Sequence, residues 1–208
     1  MTPGRFITFE GGEGTGKSTQ VARLVARLRA RGLEVVQTRE PGGSPGAEEI
    51  RHLALNGDPG RWSPMTETLL MYAARSDHLE RTIRPALDAG RWVVCDRFAD
   101  SSRAYQGVGG GTPAGVIEAL DAAIVGPTQP DLTLVFDLPV AIGLERAFGR
   151  GLFETRFESK GLAFHERLRQ GFLAIAAAHP GRCVVIDAEG DQDAVAARVR
   201  AAVEARFP

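Results

Sequence analysis

Eight residues near the N-terminus, Gly11 to Ser18 (GGEGTGKS), fit the pattern G-x-x-x-x-G-K-S/T. The chemistry open to such a stretch is anion binding. Glycines at 11, 12, 14 and 16 let backbone N–H groups turn inward, because glycine accepts positive φ and carries no Cβ. Lys17 then reaches the β- and γ-phosphates of a nucleoside triphosphate, and the Ser18 hydroxyl holds Mg²⁺. A helix opening at Lys17 aims its dipole and free N–H groups at the same charge. The expected phosphate cradle is Gly11, Gly12, Glu13, Gly14, Thr15, Gly16, Lys17, Ser18 and Thr19. A glycine-rich turn that binds nothing has similar letters, but this one lies between a strand-like run, Phe6 to Phe9, and a helical pattern, as the chemistry requires.

A guanine-reading N-K-x-D motif is absent: the single asparagine, Asn56, is followed by Gly57. ATP is therefore the expected triphosphate. In parallel sheets ligands collect beyond the carboxyl ends of the strands. The polar residues there are Glu13, Arg39 and Glu40, Asp96 and Arg97, Asp137, and Asp187. Each taken singly could be a cap or a surface ion pair. Asp96 and Arg97 stand out, since an arginine after a central strand can grip a second phosphate bidentately. Asp96 joins Ser18 as a candidate oxygen ligand for the metal.

Met71 and Arg75 are four apart and share a helical face, as do Ser102 and Gln106 if their segment is helical, with Tyr105 beside them. Together they could line a base pocket; a core methionine and a solvated arginine would give the same spacing. Arg146, Arg150 and Arg156 surround Gly149 and Gly151. That composition suits a lid, at about residues 146–158, which lowers arginines onto a transferring phosphate; a solvated helical hairpin is the alternative.

The elements that must hold these groups alternate regularly. Apolar runs at Phe6 to Phe9, Leu33 to Gln37, Arg91 to Cys95, Leu132 to Phe136 and Arg182 to Ile186 read as strands. Helical patterns follow the first at Lys17 to Leu28, ending at Gly32, and recur at Ala47 to Leu55, Met65 to Ala89, Ala114 to Ile124, Val140 to Phe148, Glu158 to Ala178 and Ala194 to Phe207. Pro85 is expected to kink or shorten the long third helix. The alternation predicts an α/β fold, a three-layer sandwich on a five-stranded parallel sheet with right-handed crossovers. No linker or repeat divides residues 1–208, so one domain is expected.

The 208 residues suffice for a substantial core, and 25 basic against 26 acidic residues argue against a broad nucleic-acid or membrane surface. Cys95 and Cys183 fall in apolar runs and read as buried structural thiols. They make no zinc spacing with the four histidines. No signal peptide or bilayer-length apolar run is visible, and a cytoplasmic location is expected.

FEGGEGTGKST, TREPGG, the LLMYAAR helix, DRFADSSRAYQG and TRFE, in this order, resemble the thymidylate kinases from about Phe6 onward. The resemblance implies a P-loop nucleoside monophosphate kinase fold, ATP as phosphoryl donor to dTMP, Mg²⁺, and a homodimer. It implies that Lys17 and Ser18 serve ATP and metal, and that Glu13 meets the deoxyribose 3′-hydroxyl. Arg97 and Arg51 would hold the dTMP phosphate, and Arg75, Gln106 and Ser102 would face the thymine. Tyr105 would pack where a ribose 2′-hydroxyl would sit, with Glu40 lining the same site. The phosphate loop has no arginine, so Arg150 and Arg156, with Arg146 next, would supply catalytic charge from the lid. The chain departs from the family pattern twice. Met71 replaces a stacking phenylalanine, and Thr155 replaces the aspartate of a D-R-x-E lid motif. Another nucleotide kinase, or an ATPase switch without a small acceptor, are the competing readings.

Overall fold

The computed structural model describes residues 4–58, 60–149 and 160–208. Strand β1 (Phe6–Gly11) is buried along its whole length because it lies at the centre of the sheet. Its glycine-rich exit leads into α1 (Lys17–Ala30), which buries Val21, Leu24, Val25 and Leu28 as their spacing predicts. Gly32, at φ 81°, reverses the chain, and the Leu33 amide bonds back to Leu28, so both residues form the helix terminus. Strand β2 (Val35–Arg39) consequently starts two residues later than the apolar pattern suggests.

Helix α2 (Pro45–Leu55) packs on α3 (Pro64–His78), whose first turn is fixed by Ser63 accepting from the Thr66 amide. Beyond His78 the helix widens into a π-helical turn, Leu79–Ile83, and resumes as α4 (Arg84–Asp88). Pro85 does not end the helix, which runs on to Asp88. The wider turn absorbs the missing N–H and the ring of the proline. Strand β3 (Trp92–Asp96) follows, then the short α5 (Ala99–Ser102), which continues as a π-helical segment, Arg103–Gly109. The segment carrying Ser102, Tyr105 and Gln106 is thus helical.

Helix α6 (Ala114–Leu120) also ends in a π-helical turn, Asp121–Val125, and leads to β4 (Leu132–Asp137) and α7 (Val140–Phe148). Helix α8 (Leu162–Ala178), strand β5 (Cys183–Asp187) and α9 (Gln192–Arg206) complete the chain. Asp191 caps α9 by accepting from the amides of Asp193 and Ala194.

All pairings are parallel and the strand order is β2-β3-β1-β4-β5. One face of the sheet is covered by α1 and α9, through Leu24, Val25, Val195 and Val199 against Ile7 and Leu134. The other is covered by the α3–α4 helix, with Leu79 and Ile83 against Phe6 and Val93, and by α8, with Leu168 and Phe172 against Val135 and Tyr105. This is the expected three-layer sandwich. The chain crosses from one side of β1 to the other after β3, so the ends of β1 and β3 flank the crevice where a ligand can enter.

Candidate active site

Gly11, Gly14 and Gly16 all have positive φ, which bends the loop after β1 around an inward-facing concavity. The Lys17 ammonium folds into it and donates to the carbonyls of Gly11 at 3.0 Å and Gly12 at 2.6 Å, and to Thr15 Oγ1 at 3.2 Å. Burial, with Arg97 nearby, pushes Lys17 down to about 8. The Ser18 hydroxyl donates to Asp96 Oδ2 at 2.5 Å, which sets the first turn of α1 against the end of β3.

Arg97 is the one non-glycine residue with positive φ among the described residues, at 70°. Such strain persists where the surroundings impose it. Its amide donates to Phe9 O, and the buried Glu10 carboxylate accepts from the Phe98 amide at 2.7 Å and the Ser101 hydroxyl at 2.6 Å. The guanidinium thereby reaches Gly11 O at 2.8 Å and Glu13 Oε1 at 3.0 Å, and lies 4.9 Å from the Tyr105 ring centre. The Tyr105 hydroxyl donates to the same Glu13 oxygen at 2.6 Å. Burial alone would raise the Glu13 carboxyl, but Arg97, Lys17 and the tyrosine hold it down to about 2. Glu10 shifts oppositely: burial, then the charge of Asp100, raise it.

At the far wall Arg75 is buried on α3. Its Nε donates to Glu40 Oε2 at 2.8 Å, and its Nη2 donates to Phe98 O and to Ser102 Oγ, at 3.1 and 3.0 Å. Nη1 is buried and makes no hydrogen bond among the described residues. Gln106 donates its amide nitrogen to Glu67 at 3.1 Å, and Arg51 donates to the Pro41 carbonyl at 2.6 Å.

A single cavity of ≈ 330 Å³ runs between the two ends. It is lined by Glu13, Glu40, Arg51, Met71, Arg75, Arg97, Ser102, Tyr105 and Gln106, and also by Gly14, Thr15, Gly16, Lys17, Ser18 and Asp96. Gly12 lies on a smaller neighbouring recess. Met71 and Arg75 therefore belong to a cavity wall; the reading of Arg75 as a solvated side chain does not hold, since it is 3% exposed.

Two of the strand-end carboxylates are engaged elsewhere. Asp137 is bridged by Arg169 at 2.6 and 3.1 Å, and Asp187 pairs with Arg198 at 3.0 Å. Arg146 is not among the residues that line the cavity, and its Nη1 lies 3.4 Å from Ala188 O. Arg150, Arg156, Thr155 and Gly151 lie outside the described residues. Cys95 and Cys183 are buried free thiols, and burial pushes Cys183 up to about 11. No described helix is long and apolar enough to cross a membrane.

Sequence reasoning overlooked Glu10 and His78. Glu10 had a signal, a charge directly after the apolar run Phe6 to Phe9 and before the glycines. His78 follows Met71 and Arg75 at i+7 and i+3, on the same helical face.

A thymidylate kinase family model matches residues 9–199 of this chain. The chain belongs to the thymidylate kinase family. A thymidylate kinase of Caulobacter vibrioides is 62% identical over 207 residues, spanning 100% of this chain and 99% of that protein. One from Nitrobacter winogradskyi is 55% identical over 98% of this chain and 89% of its own length. The crystal structure of thymidylate kinase from Ehrlichia chaffeensis superposes with a TM-score of 0.77 at 33% identity, covering 97% of this chain and 99% of that one. In this thymidylate kinase family member the cavity has the Lys17 loop at one end and, at the other, Arg75, whose buried Nη1 has no hydrogen-bond partner among the described residues.

Proposed function

We infer that this protein transfers the γ-phosphoryl group of ATP to dTMP, giving dTDP and ADP, a step toward dTTP. The observation that carries the reading is the continuous cavity joining the Lys17 loop to Arg97 and Arg75. A hydrolytic switch needs the first end only; a nucleotide acceptor needs both.

In this reading Gly11 to Thr19 cradle the ATP phosphates, and Lys17 exchanges its loop carbonyls for phosphate oxygens. Arg97 and Arg51 hold the dTMP phosphate, which is largely ionised at neutral pH and needs no strong general base. Glu13 accepts from the sugar hydroxyl and Tyr105 fills the space beside it. Arg75 Nη1 donates to a thymine oxygen. Gln106, whose N–H is given to Glu67, offers the base its carbonyl oxygen. Met71 packs on the ring through its thioether. Arg150 and Arg156 neutralise the transferring group; in related phosphoryl transfers such an arginine is worth roughly 10³–10⁵ in rate. Lys17→Ala, or Arg150→Ala with Arg156→Ala, is accordingly expected to cut turnover far more than dTMP affinity.

Ser18 Oγ and Asp96 Oδ2, 2.5 Å apart, form a small oxygen set at the cradle. Among the described residues no cluster of three metal-ligating side chains exists. That fits Mg²⁺, which takes one or two protein oxygens and completes its shell with water and substrate phosphates. When bound it neutralises phosphate charge. Association as a homodimer is supported by exposed Met65 and Leu69 on α3 and exposed Leu53 on α2, two helices that pack on each other, and a cytoplasmic location suits the small-molecule substrates. Sedimentation of wild type against Leu69→Glu tests the dimer.

ADP release measured with and without dTMP tests the function. Strong dTMP dependence is expected; hydrolysis indifferent to any acceptor would overturn the reading.

A further inference from the structure

His78 is fully buried at the end of α3 and lines no part of the cavity. Its Nδ1 is 3.0 Å from Glu40 Oε1, and its Nε2 is 2.7 Å from the Thr38 hydroxyl. Glu40 uses its other oxygen, Oε2, to accept from Arg75 Nε at 2.8 Å. A line of hydrogen bonds therefore runs Thr38–His78–Glu40–Arg75. It ends at Arg75, which lines the cavity and whose buried Nη1 has no hydrogen-bond partner among the described residues.

The link to Glu40 has a direction. A carboxylate only accepts, so the His78 Nδ1–H donates to Glu40, and Nε2 on the other side of the ring meets the Thr38 hydroxyl. Without His78, Glu40 Oε1 has no other hydrogen-bond donor among the described contacts, and the carboxylate can rotate about its Cγ–Cδ bond. Arg75 would then keep only its Nη2 bonds to Phe98 O and Ser102 Oγ as fixed contacts, and the tilt of the guanidinium set by Nε would loosen. The loop is shaped to admit the ring: a Cβ on Gly43 would stand 2.4 Å from both His78 Nε2 and Thr38 Oγ1.

We propose that His78 is a positioning residue for base recognition, fixing through Glu40 the angle at which Arg75 presents its free N–H to the nucleotide. This rests on reading the cavity as the dTMP pocket. The residue touches neither substrate, and its effect is confined to the base end of the site.

Two substitutions separate this role from general packing. In His78→Asn the amide nitrogen falls near the Nδ1 position and keeps the bond to Glu40; in His78→Gln it falls near Nε2 and loses it. We expect His78→Gln to raise KM for dTMP by about 10-fold to 100-fold, the effect of a charge-assisted hydrogen bond, and to narrow the dTMP-over-dCMP ratio of kcat/KM. KM for ATP should stay within about threefold of wild type, and His78→Asn should retain the wild-type dTMP preference. Equal behaviour of the two variants, or parallel loss toward dTMP, dCMP and ATP, would overturn the proposal. If neither variant folds, Thr38→Val removes one hydroxyl at constant shape. A raised KM for dTMP with unchanged KM for ATP supports the role, and an unchanged KM for dTMP overturns it. Wild type is assayed alongside: absence of dTMP-dependent turnover there would refute the functional reading itself, whereas active wild type with insensitive variants refutes only the role of His78.

Discussion

Arg97 Nη2 and Glu13 Oε1 meet at 3.0 Å across 84 positions of sequence, and the Tyr105 hydroxyl donates to that same oxygen at 2.6 Å. The ion pair ties the loop after β1 to the turn after β3. In the proposed assignment an entering phosphate would compete with Glu13 for Arg97, while the carboxylate would keep its tyrosine donor and remain available to a hydroxyl. Arg97→Ala removes the phosphate donor and leaves Glu13 half-paired. Steady-state assays should show kcat/KM for dTMP lower by about 10²–10³, with a much smaller change in KM for ATP.

The same pair makes stability depend on acid. Glu13 sits at about 2 in the folded protein against 4.5 for the free group. A depressed carboxyl contributes stability that is complete above pH 4.5 and is lost as pH falls toward 2. At roughly 1.4 kcal/mol per tenfold change in proton affinity, the drop is worth up to about 3 kcal/mol. Urea unfolding of wild type and Glu13→Gln should therefore differ at pH 6 and converge by pH 2. A gap that is constant over this window would contradict the assignment.

The fold and the two ends of the site were legible from the sequence because they rest on local signals: glycine spacing, apolar runs, and polar residues at strand ends. Long-range pairings were not. The sequence offers no sign that Asp137 would be claimed by Arg169 or that Arg75 would be buried against Glu40, since partners 32 and 35 positions apart meet only once the sheet forms. The π-helical turns were also invisible, because a widened turn keeps the composition of an α-helix and alters only the register. That widening at Arg103–Gly109 accompanies Tyr105 and Gln106 on the cavity wall.

Lys17 gives a proton-linked signature of nucleotide binding. At about 8 in the free protein it is partly neutral at pH 8.5. Phosphate oxygens replacing its loop carbonyls favour the ammonium form and raise it. Titration calorimetry with ATP, in two buffers of different ionisation enthalpy, should report proton uptake at pH 8.5 and much less from this group at pH 6.5. Lys17→Met should abolish the difference.

Base selectivity should be uneven. The thymine methyl can add only about 1–3 kcal/mol of apolar contact, so dUMP is expected to react with kcat/KM lower by about 10-fold to 200-fold. Cytosine turns an amino group toward Arg75 Nη1 and a lone pair toward the Gln106 carbonyl, leaving buried groups opposed. A larger penalty, approaching 10⁴, is expected for dCMP. Comparable specificity constants for dTMP and dCMP would refute the assignment of Arg75 and Gln106.

Helix α7 rests on the phosphate loop backbone to backbone. A Cβ on Gly14 would stand 1.8 Å from Gly143 O, and one on Gly143 would stand 2.6 Å from Glu13 O. Neither neighbour is a side chain that could swing aside. Gly143→Ala must therefore push α7 away from residues 13–14 or move the Glu13 peptide, at an overpacking cost of about 1–3 kcal/mol. For a domain of this size that lowers Tm by about 2–12 °C. Because the displaced peptide carries Glu13 and adjoins the cradle, KM should rise for both ATP and dTMP. Gly149→Ala, at the opposite, C-terminal end of α7, is the control: its Cβ would meet only Glu145 O at 3.5 Å, an ordinary contact, at a helical φ of −62°. It should leave Tm unchanged or slightly raised, since alanine restricts the unfolded chain more than glycine does. Equal effects of the two substitutions would mean that the loop and α7 do not depend on their close approach.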